Sequence, residues 1–435
     1  MQSPSSEGAA REAAWQWDGE ADDGAEAAGE VIGGGGGRPR LSRRGVLAGA
    51  GLLAAGGAVW AFGRSSTDQA DGAKPKPQPT ALSGPTPLWT YRAPEAMTPE
   101  RLANQPGRPL FLSPAGLQVL DPATGSAGRL LAFDPPSRDW PSDAALQPKV
   151  VLGPDHLFTS TSPGHLDARH FTDPAADWSL PLPEELEGDV RLAGCDGTLL
   201  YGSVWGRSVE EVTQQRNRLF AVRLSDRSIA WTVRPDHLEQ PLTPVTAAGG
   251  RLPLARNLGN RSELVVRSDT DGTERWTAPG EEDLRWCTTG TENTYLPDGR
   301  GGVRALGPGG LPRWTVSPGP SEQWRAMPPV PDGPRVYVPR DNGLLTGHDA
   351  PSGKQTWTCR LPFLLDRRSH PLVVGGTLYV PGPAAGGVCA VDTATGRLLW
   401  TFRDSGPGKD VWILAADADR LYAGRDDIVH ALALR

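Results

Sequence analysis

The stretch VCAVDTATGRLLWTF, residues 388–402, decides how the rest of the chain is read. An apolar run ends in Asp-x-x-Thr-Gly, and a second apolar run follows and ends in Trp400 and Phe402. Gly396 sits four residues before the tryptophan, where a tight hairpin needs a positive φ. The phrase predicts two antiparallel strands joined by a short turn.

Cruder copies of it recur along the chain. Gly272, Gly310 and Gly353 hold the same place before Trp276, Trp314 and Trp357. Aligned on their tryptophans, the copies end at Trp89, Trp178, Trp231, Trp276, Trp314, Trp357 and Trp400, with a period of about 43 residues. The interval between Trp89 and Trp178 is double, and GRLLAF fills the missing slot, with Ala132 or Phe133 in the tryptophan's place. About 20 residues before each tryptophan lies a strand signal, carried by Phe111, Phe158, Tyr201, Tyr295, Tyr337 and Tyr379. Four short strands per repeat, separated by turn residues, are the sequence form of a propeller blade. High glycine (54) and proline (43) without a collagen period fit many turns and short strands.

The last copy, DRLYAGRDDIVHALALR, has Tyr422 but ends at Arg435, short of a tryptophan expected near position 443. TPLWTYRAP has Trp89 with no repeat before it. The two halves complete each other, which predicts an all-β, eight-bladed β-propeller. In it, the N-terminal strand pairs with the C-terminal blade and closes the ring.

The pattern G-x-x-L-Y-V … A-V-D-x-x-T-G-x-x-x-W resembles the PQQ-like repeat propellers, the family shared by quinoprotein dehydrogenases and the BamB lipoprotein. The resemblance covers residues 85–435 and is strongest over 335–400. It implies that the seven tryptophans dock each blade onto its neighbour.

Residues ahead of the domain read as addressing. Residues 1–30 hold eight acids and one base, and the remainder of the chain sums to zero charge. Residues 1–40 have too little apolar content to offset ordering entropy and are expected to be a disordered acidic, Gly-rich tail. Ser42-Arg43-Arg44-Gly45-Val46-Leu47 resembles a twin-arginine export signal, which implies translocation in a folded state through Arg43 and Arg44. The uncharged run 45–62, within a segment 41–63, reads as one hydrophobic helix just long enough to span a membrane. Cleaved signal and membrane anchor remain two readings. Both send the large domain outward, since arginines precede the run; a third leaves the protein in the cytosol. Residues 64–84 form a Pro-rich linker.

Chemistry is sparse. Cys195, Cys287, Cys359 and Cys389 have no metal or haem spacing, and their disulfide state is open. HLDARH holds His165, Asp167 and His170, but on a strand only the first two share a face. Asp269 and Asp271 fall in the hairpin turn of SDTDGTERW. The 53-residue interval before Trp231 contains SVWGRSVEEVTQQRNR, about ten residues extra, with a capping-box spacing from Ser208 to Glu211. It reads as a tolerated loop insertion or a recognition loop. No basic footprint exists for nucleic acid. No cofactor, catalytic residue or metal ligand is assigned. The reading is a monomeric, non-catalytic binding or scaffold module of the cell envelope, whose partner is an envelope protein or a small ligand. The alternatives are an extracytoplasmic sensor holding a small molecule or glycan in the funnel, and a PQQ-dependent dehydrogenase.

Overall fold

A computed structural model of the chain describes residues 82–94, 108–113, 116–132, 150–161, 164–205, 217–242, 248–258, 261–280, 284, 286–319 and 321–434. Arg43, Arg44, the segments 1–40 and 41–63, and the insertion after Trp205 lie outside them. Among the described residues no helix is long and apolar enough to cross a membrane; two short 3-10 turns, Pro174–Ala176 and Glu184–Leu186, accompany the strands.

Thirty-two described strands make eight sheets. In chain order these blades span 110–131, 150–181, 189–233, 239–279, 288–316, 330–360, 372–402 and 413–433, numbered 1 to 8 below. Blades 2 to 7 each add their four strands in sequence order, as antiparallel neighbours. First strands of successive blades, such as Val330–Asp332, Leu372–Val374 and Ile413–Ala416, touch one another, which places them innermost. Blade 1 has three described strands, equivalent to the outer three of the others.

The core is divided into eight apolar clusters, one between each pair of consecutive blades, and one of them joins blade 8 to blade 1. A middle strand is therefore covered on both faces. Thr377–Pro381 is buried at every position, which is why TLYVP reads as a continuous run without alternation.

The repeated phrase follows from one hairpin. Asp392 Oδ1 accepts from the amides of Ala394 and Thr395 and from the Thr395 hydroxyl, at 3.1, 2.8 and 2.7 Å. Gly396, at φ +70°, bonds back to the Asp392 carbonyl. A bulge then sets Trp400 opposite Ala390, which stands opposite Tyr379 on the next strand in. The small central residue lets the outer rings approach across three strands, with centroids 5.8 Å apart. Tyr201-Ala221-Trp231, Tyr295-Ala305-Trp314 and Tyr337-Gly347-Trp357 repeat the arrangement. Phe158-Ala168-Trp178 does so with phenylalanine. Each such aromatic pair adds about 1 kcal/mol beyond its buried area.

Blade 8 takes its fourth strand from the other end of the domain. Trp89–Arg92 pairs antiparallel with Ile428–Ala433, Trp89 opposite Ala431 and Arg92 opposite Ile428. Trp89 thereby joins Tyr422 in the same three-strand triplet, at 5.8 Å. The Thr90 hydroxyl meets His430 Nδ1 at 2.9 Å across the seam. Leu82–Ser83, at the end of the expected linker, forms a fifth strand, parallel to the outer edge of blade 7.

One expectation changes. In blade 1 the tryptophan slot is not held by Ala132, and Phe133 lies outside the described residues. Gln118 faces Leu130 and Leu120 faces Ala127, so Arg129, four residues after Gly125, stands in the tryptophan's register. Likewise Leu110, opposite Val119, takes the tyrosine's register rather than Phe111. The irregular GRLLAF had shifted the alignment by a few residues.

Candidate functional site

Five outer-strand tryptophans lean onto the turn between the third and fourth strands, the c–d turn, of the following blade. The indole N–H donates to a turn carbonyl: Trp231 to Asp269 at 2.8 Å, Trp276 to Pro308 at 2.6 Å, Trp314 to Ala350 at 2.8 Å and Trp357 to Thr393 at 2.9 Å. Trp89 does the same to Pro122 of blade 1 at 2.9 Å. The turn glycine is the seat for the ring. A Cβ on Gly125, Gly272, Gly310, Gly353 or Gly396 would stand within 3.0 Å of the preceding blade's indole. The glycine spaced four residues before Trp276, Trp314, Trp357 or Trp400 therefore serves a different tryptophan, one blade back.

Three junctions depart from this lock. Between blades 7 and 8, Trp400 has no c–d turn to meet, because the outer strand of blade 8 arrives from the N-terminal side; Leu82 pairs alongside it instead. Between blades 1 and 2, Arg129 replaces the indole with a two-toothed ion pair to Asp177, at 2.8 and 2.6 Å, and a bond to the His170 carbonyl at 2.7 Å. The Arg129 guanidinium holds the Asp177 carboxyl down to about 2.

The third departure makes a site. In blade 3 the seat position is Arg227, a non-glycine residue at φ 57°. Its side chain cannot lie flush beneath Trp178; the guanidinium sits 5.6 Å from the ring centroid instead. A crevice of about 630 Å³ opens there, between blades 2 and 3 and reaching Thr270 of blade 4. Phe158, Trp178, Leu199 and Leu224 supply apolar wall. His156 and Arg223 supply polar rim. His156 is fixed by Asp155 at 2.6 Å and by the Ala176 carbonyl at 3.3 Å, while Arg223 pairs with Asp226 at 3.1 Å. Apolar walls with a few oriented polar groups are the usual make-up of a binding pocket.

The other marked residues are dispersed. Among the described residues no three His, Cys, Asp or Glu gather to hold a metal ion. His170 Nδ1 accepts from the amides of Thr172 and Asp173. Asp271 caps its turn by accepting from Thr273. All four cysteines are free; burial pushes the Cys195 thiol up to about 11 and those of Cys287 and Cys389 up to about 12, which leaves them poorly reactive. A second set of tryptophans, Trp286, Trp324 and Trp412, was not separated out by the repeat. They lie on the long connections into inner strands, just before Thr288–Thr289, Val330–Asp332 and Ile413–Ala416. Their signal is a tryptophan one to six residues ahead of each inner strand.

A family model described as "Outer membrane protein assembly factor BamB" (PQQ_2) matches residues 299–434. That match and the eight blades support a PQQ-like propeller. No curated protein matches the chain. Among solved structures, BamB from Moraxella catarrhalis is 13% identical, covering 66% of this chain and 96% of its own, with a TM-score of 0.42. The computationally designed Ika8 protein is 10% identical, covering 80% of this chain and 99% of its own, with a TM-score of 0.56. The second likeness is one of fold.

Proposed function

We propose that the propeller is a non-catalytic binding module held outside the cytoplasmic membrane, where it recognises a protein of the cell envelope. The observation that carries the reading is the crevice at Trp178. At five junctions a tryptophan is hydrogen-bonded into the turn of the next blade. Here Arg227 stands in place of the seat glycine with its guanidinium over the Trp178 ring, and the indole lines an open cleft. A rigid closed frame carrying such a cleft suits recognition of an apolar side chain flanked by polar backbone. The family model's description, an outer membrane assembly factor, is consistent with a protein partner. The twin-arginine-like segment and the apolar run 45–62 support placement outside the membrane.

The test is a photo-crosslinking amino acid at Ser225, on the crevice rim, in the full chain within its native cell. A discrete adduct to one envelope protein, lost in Arg227→Gly, supports the reading. Absence of any adduct, or a visible-absorption change and dye reduction on adding PQQ and calcium to the purified chain, overturns it.

A further inference from the structure

Arg340 is buried, with 8% of its surface exposed, and its side chain is unlike that of the other deeply buried arginines. Arg425 bonds to Asp404, Asp426 and the carbonyls of Gly406 and Pro407, at 2.9 Å each. Arg267 bonds to Glu239 and the Gly272 carbonyl. The Arg340 guanidinium makes no side-chain hydrogen bond and no ion pair among the described residues, and its Nε is sealed from solvent without a partner. One face lies on the Trp324 ring, with Cζ 3.9 Å from the centroid.

The position is held firmly. The Arg340 amide donates to Leu344 O at 2.9 Å, and its carbonyl accepts from Gly343 at 3.0 Å. Arg340 also bridges to Ala326, and Arg325 and Asp341 bond to each other beside it. Trp324 is fixed by its N–H donating to Glu322 Oε2 at 3.0 Å. Burial pulls the guanidinium's pKa below its ordinary value, and Glu322 opposes that shift.

A buried charge without an acceptor is costly, and buried arginines nearly always find one. The missing acceptor is the finding. We propose that Arg340 and Trp324 form a binding site for a single carboxylate, supplied by a ligand or partner. With one face covered by the indole and Nε sealed, the guanidinium presents the edge of its two Nη groups, whose paired N–H bonds match two carboxylate oxygens. Its one positive charge matches a monoanion, and the negative charge of Glu322 close by weighs further against a phosphate dianion. The site lies at the junction of blades 5 and 6, away from the crevice at Trp178, and does not depend on that crevice having a partner.

The test uses the purified full chain in chloride buffer, titrated with sodium acetate, with the blocked peptide acetyl-Gly-Glu-Gly-amide, and with sodium phosphate, at constant ionic strength. Melting temperature and the side-chain Nε–Hε resonance of Arg340 in arginine-labelled protein are followed. Acetate and peptide are expected to raise the melting temperature saturably and to shift that resonance; phosphate and added chloride are not. Arg340→Met removes the response while melting at or above the wild type in chloride alone, because an unpaired charge has been taken out. Arg340→Lys, which keeps the charge without the fork, binds at least tenfold more weakly. A peptide that binds tighter than acetate assigns the carboxylate to a polypeptide; equal binding assigns it to a free acid; either result supports the site. No response in the wild type, an equal response to chloride or phosphate, or a response that survives in Arg340→Met overturns it.

Discussion

The indole N–H of Trp357 donates to the Thr393 carbonyl at 2.9 Å, and the ring lies 2.6 Å from where a Cβ on Gly396 would stand. One tryptophan and one glycine, on consecutive blades, thus define a joint in which hydrogen bond, ring contact and backbone conformation all depend on the absent side chain. Gly396→Ala forces a strained φ and drives the indole off its seat, so a loss of roughly 2–4 kcal/mol is expected in denaturant unfolding. Gly333, at φ +54° with nothing within 4 Å of its Cβ position, is the control. Gly333→Ala should show only the backbone cost, about 1 kcal/mol. Equal losses at both sites would remove the ring contact from the account.

The reverse substitution is informative at Arg227. Arg227→Gly relieves a non-glycine residue of its positive φ and gives Trp178 the seat that its counterparts have. The variant is expected to be more stable than the wild type by about 1 kcal/mol. It should also lose the cleft, read as reduced access of a small fluorescence quencher to Trp178 in a variant series. A variant less stable than the wild type would mean that the arginine props the junction open for structural reasons.

The ion pair that replaces the indole at Arg129 has its own pH signature. The folded-state carboxyl of Asp177 is lowered from 3.8 to about 2, so its contribution is present above pH 3.8 and disappears as pH falls toward 2. The shift is worth about 2 kcal/mol. Asp177→Asn should lower stability at pH 7 by an amount of that order and flatten the acid limb of a stability-versus-pH curve. An unchanged acid limb would show that the pair adds nothing.

His430 acts in a different window. Burial lowers its pKa below 6.5, with Asp404 pulling the other way and Arg425 and Arg92 adding to the lowering. The unfolded chain binds the proton more readily than the folded one. Stability is therefore complete above pH 6.5 and declines as pH falls below it. Because the ring of His430 meets Thr90 across the closing seam, the decline should appear as lower hydrogen-exchange protection factors in residues 89–92 near pH 5 than at pH 7, an effect reduced in His430→Gln. Protection factors there that are unchanged from pH 7 to 5 would sink the expectation.

Much of the fold was legible in the chain because the same hairpin is printed many times. Asp392, Gly396 and Trp400 sit in one local turn, so spacing alone reveals the strands; the unpaired halves at Trp89 and Tyr422 reveal the closure. What spacing hides is the partner across the joint. Gly396 looks like the companion of Trp400, four residues on, yet it seats Trp357 from the previous blade. Arg129 and Arg227 were invisible for the same reason. Each replaces an expected residue with one whose meaning depends on a neighbour about 50 residues away. Arg340 gives no signal in the sequence at all, since an arginine without an acceptor looks like any other until its surroundings are known.

The seam between Trp89 and Ala431 also sets an order of events. The strand that completes the circle is among the first parts of the domain to leave the ribosome, and its mate is the last. Bringing the two together closes a loop of some 340 residues, at an entropic cost of ~5 kcal/mol, and nothing can reward that cost until the final blade exists. Nascent chains must therefore hold seven blades and an unmatched ribbon in waiting, and the domain becomes whole in a single late step once the final blade has left the ribosome.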